Sequence, residues 1–397
     1  MYTFSKNNLF FGFLVLGYVF GVMLYDFLAF NYTDELMVVF LMLFAALTVY
    51  ERRKFTDLKP VFIVCIIFLF YLLYSFIISS NVPKAILKDL VIQIKPFLGF
   101  FCTLIIAPSL TKPQKRIIVL LTLIFGFILI ITGLTGNIYT VFVHPSRFAT
   151  AAVVTAFLFC YCSSYSTTDL LIFVVLLSIG LFSTRAKFYG FLGAAVFLIV
   201  YVKFGGQLRL NVKGFITGIL AIALILWIGW GKIELYYIDG MMTSREMWSR
   251  PAMFLAFFVL LIDYFPFGTG LASFGTFASA EDYSDIYEKY GLSNLWGLSR
   301  DKPDFITDAF YPELAQFGMV GVALYIWFWV FVLRKSHLRT LNYPSYQLFV
   351  MLIFIFFLIE GVADSTFTHN RGLLVLVILA MALTDIRHRY SETLHED

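Results

Sequence analysis

The sequence predicts an all-α fold, a polytopic helical membrane bundle. Three observations carry this reading. The 397-residue chain is 60% apolar and only 14% charged, whereas soluble domains are about 45–50% apolar and about 25% charged. Apolar stretches near the length of ~20 residues that a helix needs to cross a bilayer recur almost end to end. The charges fall mostly in the short connections between those stretches, and the mean hydropathy is +0.87.

Twelve spans are expected, at about 8–30, 35–50, 60–80, 90–108, 117–135, 147–163, 169–183, 188–203, 214–230, 311–333, 345–362 and 370–385. The run Leu9 to Phe30 is too long for a signal-peptide core and lacks a small-residue cleavage site, so it is read as the first span. Three regions follow: residues 1–230 with spans one to nine, a long connection at 231–310, and residues 311–397 with spans ten to twelve and a tail. Within the connection, Met253 to Phe265 is apolar but too short to cross. Ser249-Arg250-Pro251 reads as its helix start, with Ser249 at the cap and Pro251 in the first turn, and the helix is expected to lie at the interface or re-enter shallowly.

Basic residues collect on the cytoplasmic side of membrane proteins, and short loops decide orientation. With the N-terminus inside, Arg52-Arg53-Lys54, Lys112, Lys115-Arg116, Lys203, Arg334-Lys335 and Arg387 all fall inside. The opposite turns at 31–34 and 136–146 contain no Lys or Arg. Both termini are therefore expected in the cytoplasm, and the 231–310 connection outside it. The net charge of +4, with no Lys/Arg run longer than three, gives no ground for a nucleic-acid partner. Cys65, Cys102, Cys160 and Cys162 lie in apolar stretches without C-x-x-C spacing or a nearby His, and read as packing residues. No cluster of metal-ligand spacing and no cofactor-binding motif is apparent. Neither metal nor cofactor is expected.

Arg185, in Ser183-Thr184-Arg185-Ala186-Lys187, falls on the outer face by this arithmetic. A cation there needs a reason other than orientation, and an anionic substrate supplies one. Arg147, Lys187, Arg245, Arg250 and Arg371 join it on that face. A guanidinium presents a planar fork of donors suited to phosphate, although any one of these side chains alone also suits snorkelling to headgroups. Carboxylates follow at Asp301, Asp304, Asp308 and Glu313, with Glu246 beside Arg245. A carboxylate beside a cationic site can serve as general base on a hydroxyl, and Asp308 stands out at the membrane edge. Tyr283, Tyr287, Tyr290 and Trp296, interleaved with polar residues, suit the faces of a sugar or an interfacial belt. Asp26 and Glu360 are possible partners for the outer cations, a pairing that the sequence leaves open.

Several motifs stand in a fixed order. Ser-Thr-Arg-Ala lies between two spans, and Ser-Arg-Glu precedes the loop helix. Pro266-Phe-Gly-Thr-Gly is followed by Ser273-Phe, and Asp308-Ala-Phe-Tyr-Pro-Glu-Leu-Ala-Gln-Phe-Gly318 leads into the next span. With the apolar bundle around them, these resemble the bacterial O-antigen ligase and polymerase superfamily. The resemblance covers roughly 145–335 by motif. It implies a GT-C-type glycosyltransferase of the inner membrane. Such an enzyme takes an undecaprenyl-diphosphate-linked oligosaccharide as donor and works at the periplasmic face, with membrane lipid and a chain-length regulator protein as further partners. Ligases of the superfamily carry a His-Asn pair near the end of the long loop. Residues 231–310 contain no histidine, and Asp308 stands near that place. The departure favours a polymerase of O-antigen or capsular chains over a ligase that joins polymer to lipid A-core.

On this reading Arg185 and Arg245 stabilise the departing diphosphate and Asp308 acts on the acceptor hydroxyl. Arg147, Lys187, Arg250, Glu246, Asp304, Tyr287, Tyr290 and Trp296 bind substrate. A lipid-linked glycan flippase or transporter is the alternative without chemistry, but it would need charges through the midplane, and here they cluster at one face.

Overall fold

The computed structural model describes residues 6–28, 32–204, 248–340 and 344–396, with isolated positions between 220 and 234. Among the described residues the chain is helical and forms no β-strand beyond one isolated bridge between Ser299 and Lys302. Eight of these helices are long and apolar enough to cross a membrane, and two shorter apolar ones, Thr167–Ser183 and Ser345–Glu360, stand beside them. The expected span at 214–230 lies outside the described residues, apart from isolated positions.

The helices that position the site are α1 (Lys6–Tyr18, running on through a π-helical turn Val19–Met23), α2 (Thr33–Arg52), α3 (Lys59–Ile77), α4 (Pro83–Ile106), α5 (Lys112–Leu134), α6 (Pro145–Cys162), α7 (Thr167–Ser178), α8 (Ala186–Lys203), α9 (Ser249–Asp263), α10 (Gly318–Thr340), α11 (Pro344–Glu360) and α12 (Asn370–Glu396). Helix α12 is the axis of the bundle. Every residue from Leu373 to Leu383 is buried, so an unbroken apolar run faces protein on all sides, as expected of a helix without a polar face. Helix α6 is also buried along nearly its whole length. Lipid-facing positions lie on outer helices such as α3 and α5, where Ile66, Ile77, Phe127 and Leu134 are exposed.

Two ends can be told apart by their contacts. One joins Lys6 to Glu51, Arg52 to the carbonyls of Ile105 and Ile106, and Lys115 to Asp385. The other joins Asp26 to Arg147 and Arg371, Lys187 to Glu360, and Arg250 to Asp308. The second end carries the candidate site.

Helix α4 corrects one expectation. It begins at Pro83 and not near residue 90. Sequence hydropathy excludes Lys84, Lys88 and Asp89 from a span. In the fold Lys88 pairs with Glu281, and Asp89 accepts the Ala272 N–H at 2.7 Å. Lys95, further along, sits 2.5 Å from Asp34 and 2.6 Å from Glu35. Paired charges are tolerated where lone ones are not.

A second correction concerns the loop helix. Helix α9 is capped at Trp248 without a side-chain hydrogen bond. The Ser249 hydroxyl is drawn instead to the Trp296 carbonyl, so Ser249 becomes the first helical residue. The outward face of α9 exposes Leu255, Phe258, Val259 and Ile262, an apolar stripe suited to an interface.

Pro266 to Gly275 is a structural clasp. Thr269 N–H donates to the Ala315 carbonyl (3.2 Å), Gly270 N–H to the Gln316 carbonyl (3.0 Å) and Val320 N–H to the Pro266 carbonyl (3.2 Å). Tyr74 from α3 donates to the Gly268 carbonyl at 2.8 Å. Gly268 has φ +82, and a Cβ there would lie 2.2 Å from the Gly318 nitrogen. Only a residue without a side chain permits that approach. These glycines press two backbones together.

Candidate functional site

Arg185 is the N-cap residue of α8. The chain reaches it through a 3₁₀ turn, Ile179–Ser183, and a left-handed Thr184 with φ 55. This corner turns the backbone between two spans and leaves the Arg185 side chain at the rim. Its Nη2 lies 2.9 Å from Nε2 of His144. His144 is itself the N-cap of α6, with Nδ1 facing the Ser146 N–H at 3.3 Å. A guanidinium only donates. A neutral imidazole has one accepting nitrogen, so the ring accepts Arg185 at Nε2 only as the Nδ1–H tautomer and accepts the Ser146 N–H at Nδ1 only as the Nε2–H tautomer, and the two contacts exclude each other. Burial holds His144 below the ordinary histidine value, and the charge of Arg185 adds to this, followed by Lys187 and Arg147; Asp364 opposes them.

The other cations at this end rest on carboxylates. Arg147 reaches Asp26 Oδ1 at 2.6 Å, and Arg371 reaches Oδ2 of the same carboxylate at 2.5 Å. Arg371 also donates to the Val22 carbonyl at 3.0 Å, and Asn370 to that of Gly21. These two side chains serve carbonyls of the π-helical turn that ends α1. Arg250 pairs with Asp308. Lys187 donates to Glu360 (2.7 Å), Asp364 (2.9 Å) and the Ala363 carbonyl (3.4 Å). The pairing of Asp26 and Glu360 with cations, open in the sequence, is present in the fold.

Three expected substrate ligands are corrected by this geometry. Lys187 has three N–H donors, all of them spent, and its side chain is 9% exposed; it ties α8 to the end of α11. Tyr287 is fully buried. Its hydroxyl accepts from the Gly275 N–H and shares a hydrogen bond with Ser279, each at 2.8 Å, so it braces the clasp. Tyr290 donates to Asp263 at 2.8 Å, fastening its short helix to the end of α9. Trp296 remains open, 69% exposed, with its ring edge-on to Phe305. Asp304 is exposed. Arg245 and Glu246 lie outside the described residues.

Asp308 sits between the loop and α10. Burial raises its carboxyl above the ordinary range; Arg250 opposes this and Asp364 adds to it. Asp364 is the hub. Burial alone would raise it, yet Lys187 and His369 pull it down to about 2. Its charge is felt at Asp308, His144 and His369. His369 is held low by the protein around it and by the cations Arg147, Lys95 and Arg371, against Asp364.

Sequence reasoning missed His144, His369 and Asp364. The only signal was position: each lies at a helix end on the face already picked out by Arg185. Among the described residues, no three His, Cys, Asp or Glu side chains group as metal ligands. The arrangement gathers cations at one end of the bundle, Lys187 and Arg371 enclosed by their carboxylates, Arg147 and Arg185 more open, with His144 beside Arg185 and a carboxyl of raised proton affinity, Asp308, at the same end. It can hold an anion and accept a proton. No family model matches the chain, and no curated protein matches it.

Proposed function

We propose that the chain is a membrane glycosyltransferase, a polymerase that moves a growing glycan from undecaprenyl diphosphate to a lipid-linked repeat unit at the periplasmic face of the inner membrane. One observation carries the reading. Of Arg147, Arg185, Lys187, Arg250 and Arg371, four end on carboxylates and Arg185 ends on a histidine. Among the described residues no carboxylate pairs with Arg185, and a departing diphosphate supplies a counter-ion. Preorganised donors aimed at developing charge are often the largest catalytic contribution.

In this mechanism the glycosidic bond to the diphosphate breaks as the acceptor oxygen bonds to the anomeric carbon. Arg185 takes the charge that grows on the leaving diphosphate. Arg245 is its proposed partner. Asp308 accepts the acceptor hydroxyl's proton, for which a raised affinity suits it. Arg147 and Arg250 widen the positive rim through their exposed edges, and Trp296 offers a flat face to sugar.

The test is elongation by purified protein given the lipid-linked repeat unit. Loss of one such donor costs about 100- to 1,000-fold in rate. Arg185→Ala should fall by that order with normal yield and melting temperature. Arg185→Lys should recover part of the loss. Full-rate elongation by Arg185→Ala would end the proposal. Polymer transfer to lipid A-core, with no elongation, would replace it by the ligase reading.

A further inference from the structure

A groove of about 380 Å³ runs between α3, α4 and α10, from Lys59 at one end to Phe310 and Phe367, beside the site described above, at the other. Its walls are apolar, and its two ends differ in charge. Thr56 and Lys59 line one end. Arg53 and Lys54 precede them and are exposed. Lys335 of α10 lies there too, its Nζ 4.7 Å from the ring centre of Phe331, which lines the groove. Among the described residues Asp57 is the acidic neighbour at this mouth, and the basic residues there outnumber it. The far end is closed by Tyr71 and Gln93. The Gln93 amide donates to Glu313 at 3.1 Å and lies 3.5 Å from Asp89. Both carboxyl side chains are buried, with no ion pair to either among the described residues.

We infer that this groove holds one acyl chain of an anionic phospholipid, with its headgroup at Lys59 and Lys335 and its tail pointing to Gln93. The charges fix the direction. At the Gln93 end the lining offers a phosphate no cation, only an amide already turned to two buried carboxyl groups behind the wall; at the Lys59 end it meets lysines. Length agrees: from Lys59 to Tyr71 the helix rises about 18 Å, close to one leaflet of a hydrocarbon core about 30 Å thick. The same argument keeps the groove from serving as the diphosphate donor's seat, since the end whose lining offers no cation is the one nearer the Arg185 rim. If the basic mouth faces the cytoplasm, as the distribution of Lys and Arg predicts, it opens on the leaflet that carries anionic lipid.

Trp327 lines the groove and reports on it. The full-length protein is placed in phosphatidylcholine vesicles with a minor fraction of brominated-chain phosphatidylglycerol, or of brominated-chain phosphatidylcholine. Quenching of Trp327 is read as the difference between wild type and Trp327→Phe. A basic residue near a membrane surface is worth about fivefold in anionic lipid, so half-quenching should need about fivefold or more less phosphatidylglycerol than phosphatidylcholine. The preference should shrink as salt is raised. Lys59→Glu with Lys335→Glu should abolish it. Ile63→Phe, which narrows the groove while the lysines stay, should lower Trp327 quenching by phosphatidylglycerol to the level of phosphatidylcholine, the remainder coming from lipid against the exposed face of Trp327. Equal quenching of the wild type by the two lipids, an unchanged preference in the double variant, or displacement of the quencher by equimolar undecaprenyl phosphate would overturn the assignment.

Discussion

Arg185 rests on His144 at 2.9 Å, a base that is neutral when it accepts that donor. The contact holds only while the ring is unprotonated. His144 lies below the ordinary histidine value because burial and then Arg185 disfavour its charged form. A histidine with a lowered folded value favours the folded state above its unfolded value, about 6.5. That contribution is lost as pH falls through the lowered folded value.

From this follows an acid limb in activity. Protonating His144 sets a second cation against Arg185 and releases the guanidinium from its position. Elongation measured from about pH 8 down to about pH 5, the range in which histidine charges, should fall on the acid side. His144→Asn keeps a neutral acceptor without a titration, and its acid limb should move to lower pH, where only protonation of the base Asp308 remains, while rate near neutrality is retained. Superimposable acid limbs in the two proteins would separate His144 from the activity.

Lys187 answers a different question, because its pairing makes it a structural cation. Replacing it by Ala leaves Glu360 and Asp364 charged and enclosed. Breaking a buried pair from one side costs about 3–5 kcal/mol. Lys187→Ala should therefore lower the melting temperature in detergent, and Lys187→Ala with Glu360→Gln should regain part of the loss. Arg147, with its side chain 47% exposed, should cost far less on truncation. Asp364 adds a pH signature. It is held at about 2 in the fold against about 3.9 when free, so its stabilisation is complete above about pH 4 and is lost as pH falls toward 2. Equal melting temperatures for Lys187→Ala and wild type would contradict the enclosed pairing.

How much of this was legible in the sequence follows from what each residue type reports. Apolar length marked the spans because lipid demands it, and the cations at the Arg185 end stood out because the orientation expected from the sequence did not require them. What the sequence hid was pairing. Lys84, Lys88 and Asp89 looked like a break before α4 and are instead its first turns. Lys187 looked as available as Arg185, yet among the described residues one is surrounded by carboxylates and the other is not. The histidines at 144 and 369 carried no motif, since His144 owes its setting to Arg185 across two intervening helices and His369 owes its own to the tight turn after α11 that carries Asp364. The Gly268-Thr-Gly270 run was readable as close backbone approach, but not as an approach to Gly318.

The aromatic residues of the long connection divide in the same way, and a pair of variants separates them. Tyr287 spends its hydroxyl on Gly275 and Ser279 inside the clasp. Tyr287→Phe should lower stability by about 1 kcal/mol for the lost hydrogen bond and leave KM for the lipid-linked donor unchanged. Trp296 is open and packs on Phe305 by one edge. Trp296→Ala should keep the melting temperature and raise KM several-fold, as loss of a sugar-stacking face would. A raised KM for Tyr287→Phe with none for Trp296→Ala would reverse the two roles.

Orientation is the premise shared by the catalytic reading, and it can be tested without activity. Cys102, Cys160 and Cys162 are buried and Cys65 is partly so, so the native thiols give a low background for membrane-impermeant maleimide. Trp296→Cys places a thiol at an exposed site of the connection, and Lys54→Cys places one at the basic turn before α3. If the Arg185 end faces the periplasm, reagent added to cells with a permeable outer membrane should label position 296 and spare position 54. Position 54 should label only after the inner membrane is opened. The reverse pattern would put Arg185 in the cytoplasm, where its charge needs no explanation beyond orientation, and would leave the proposed diphosphate without its cation.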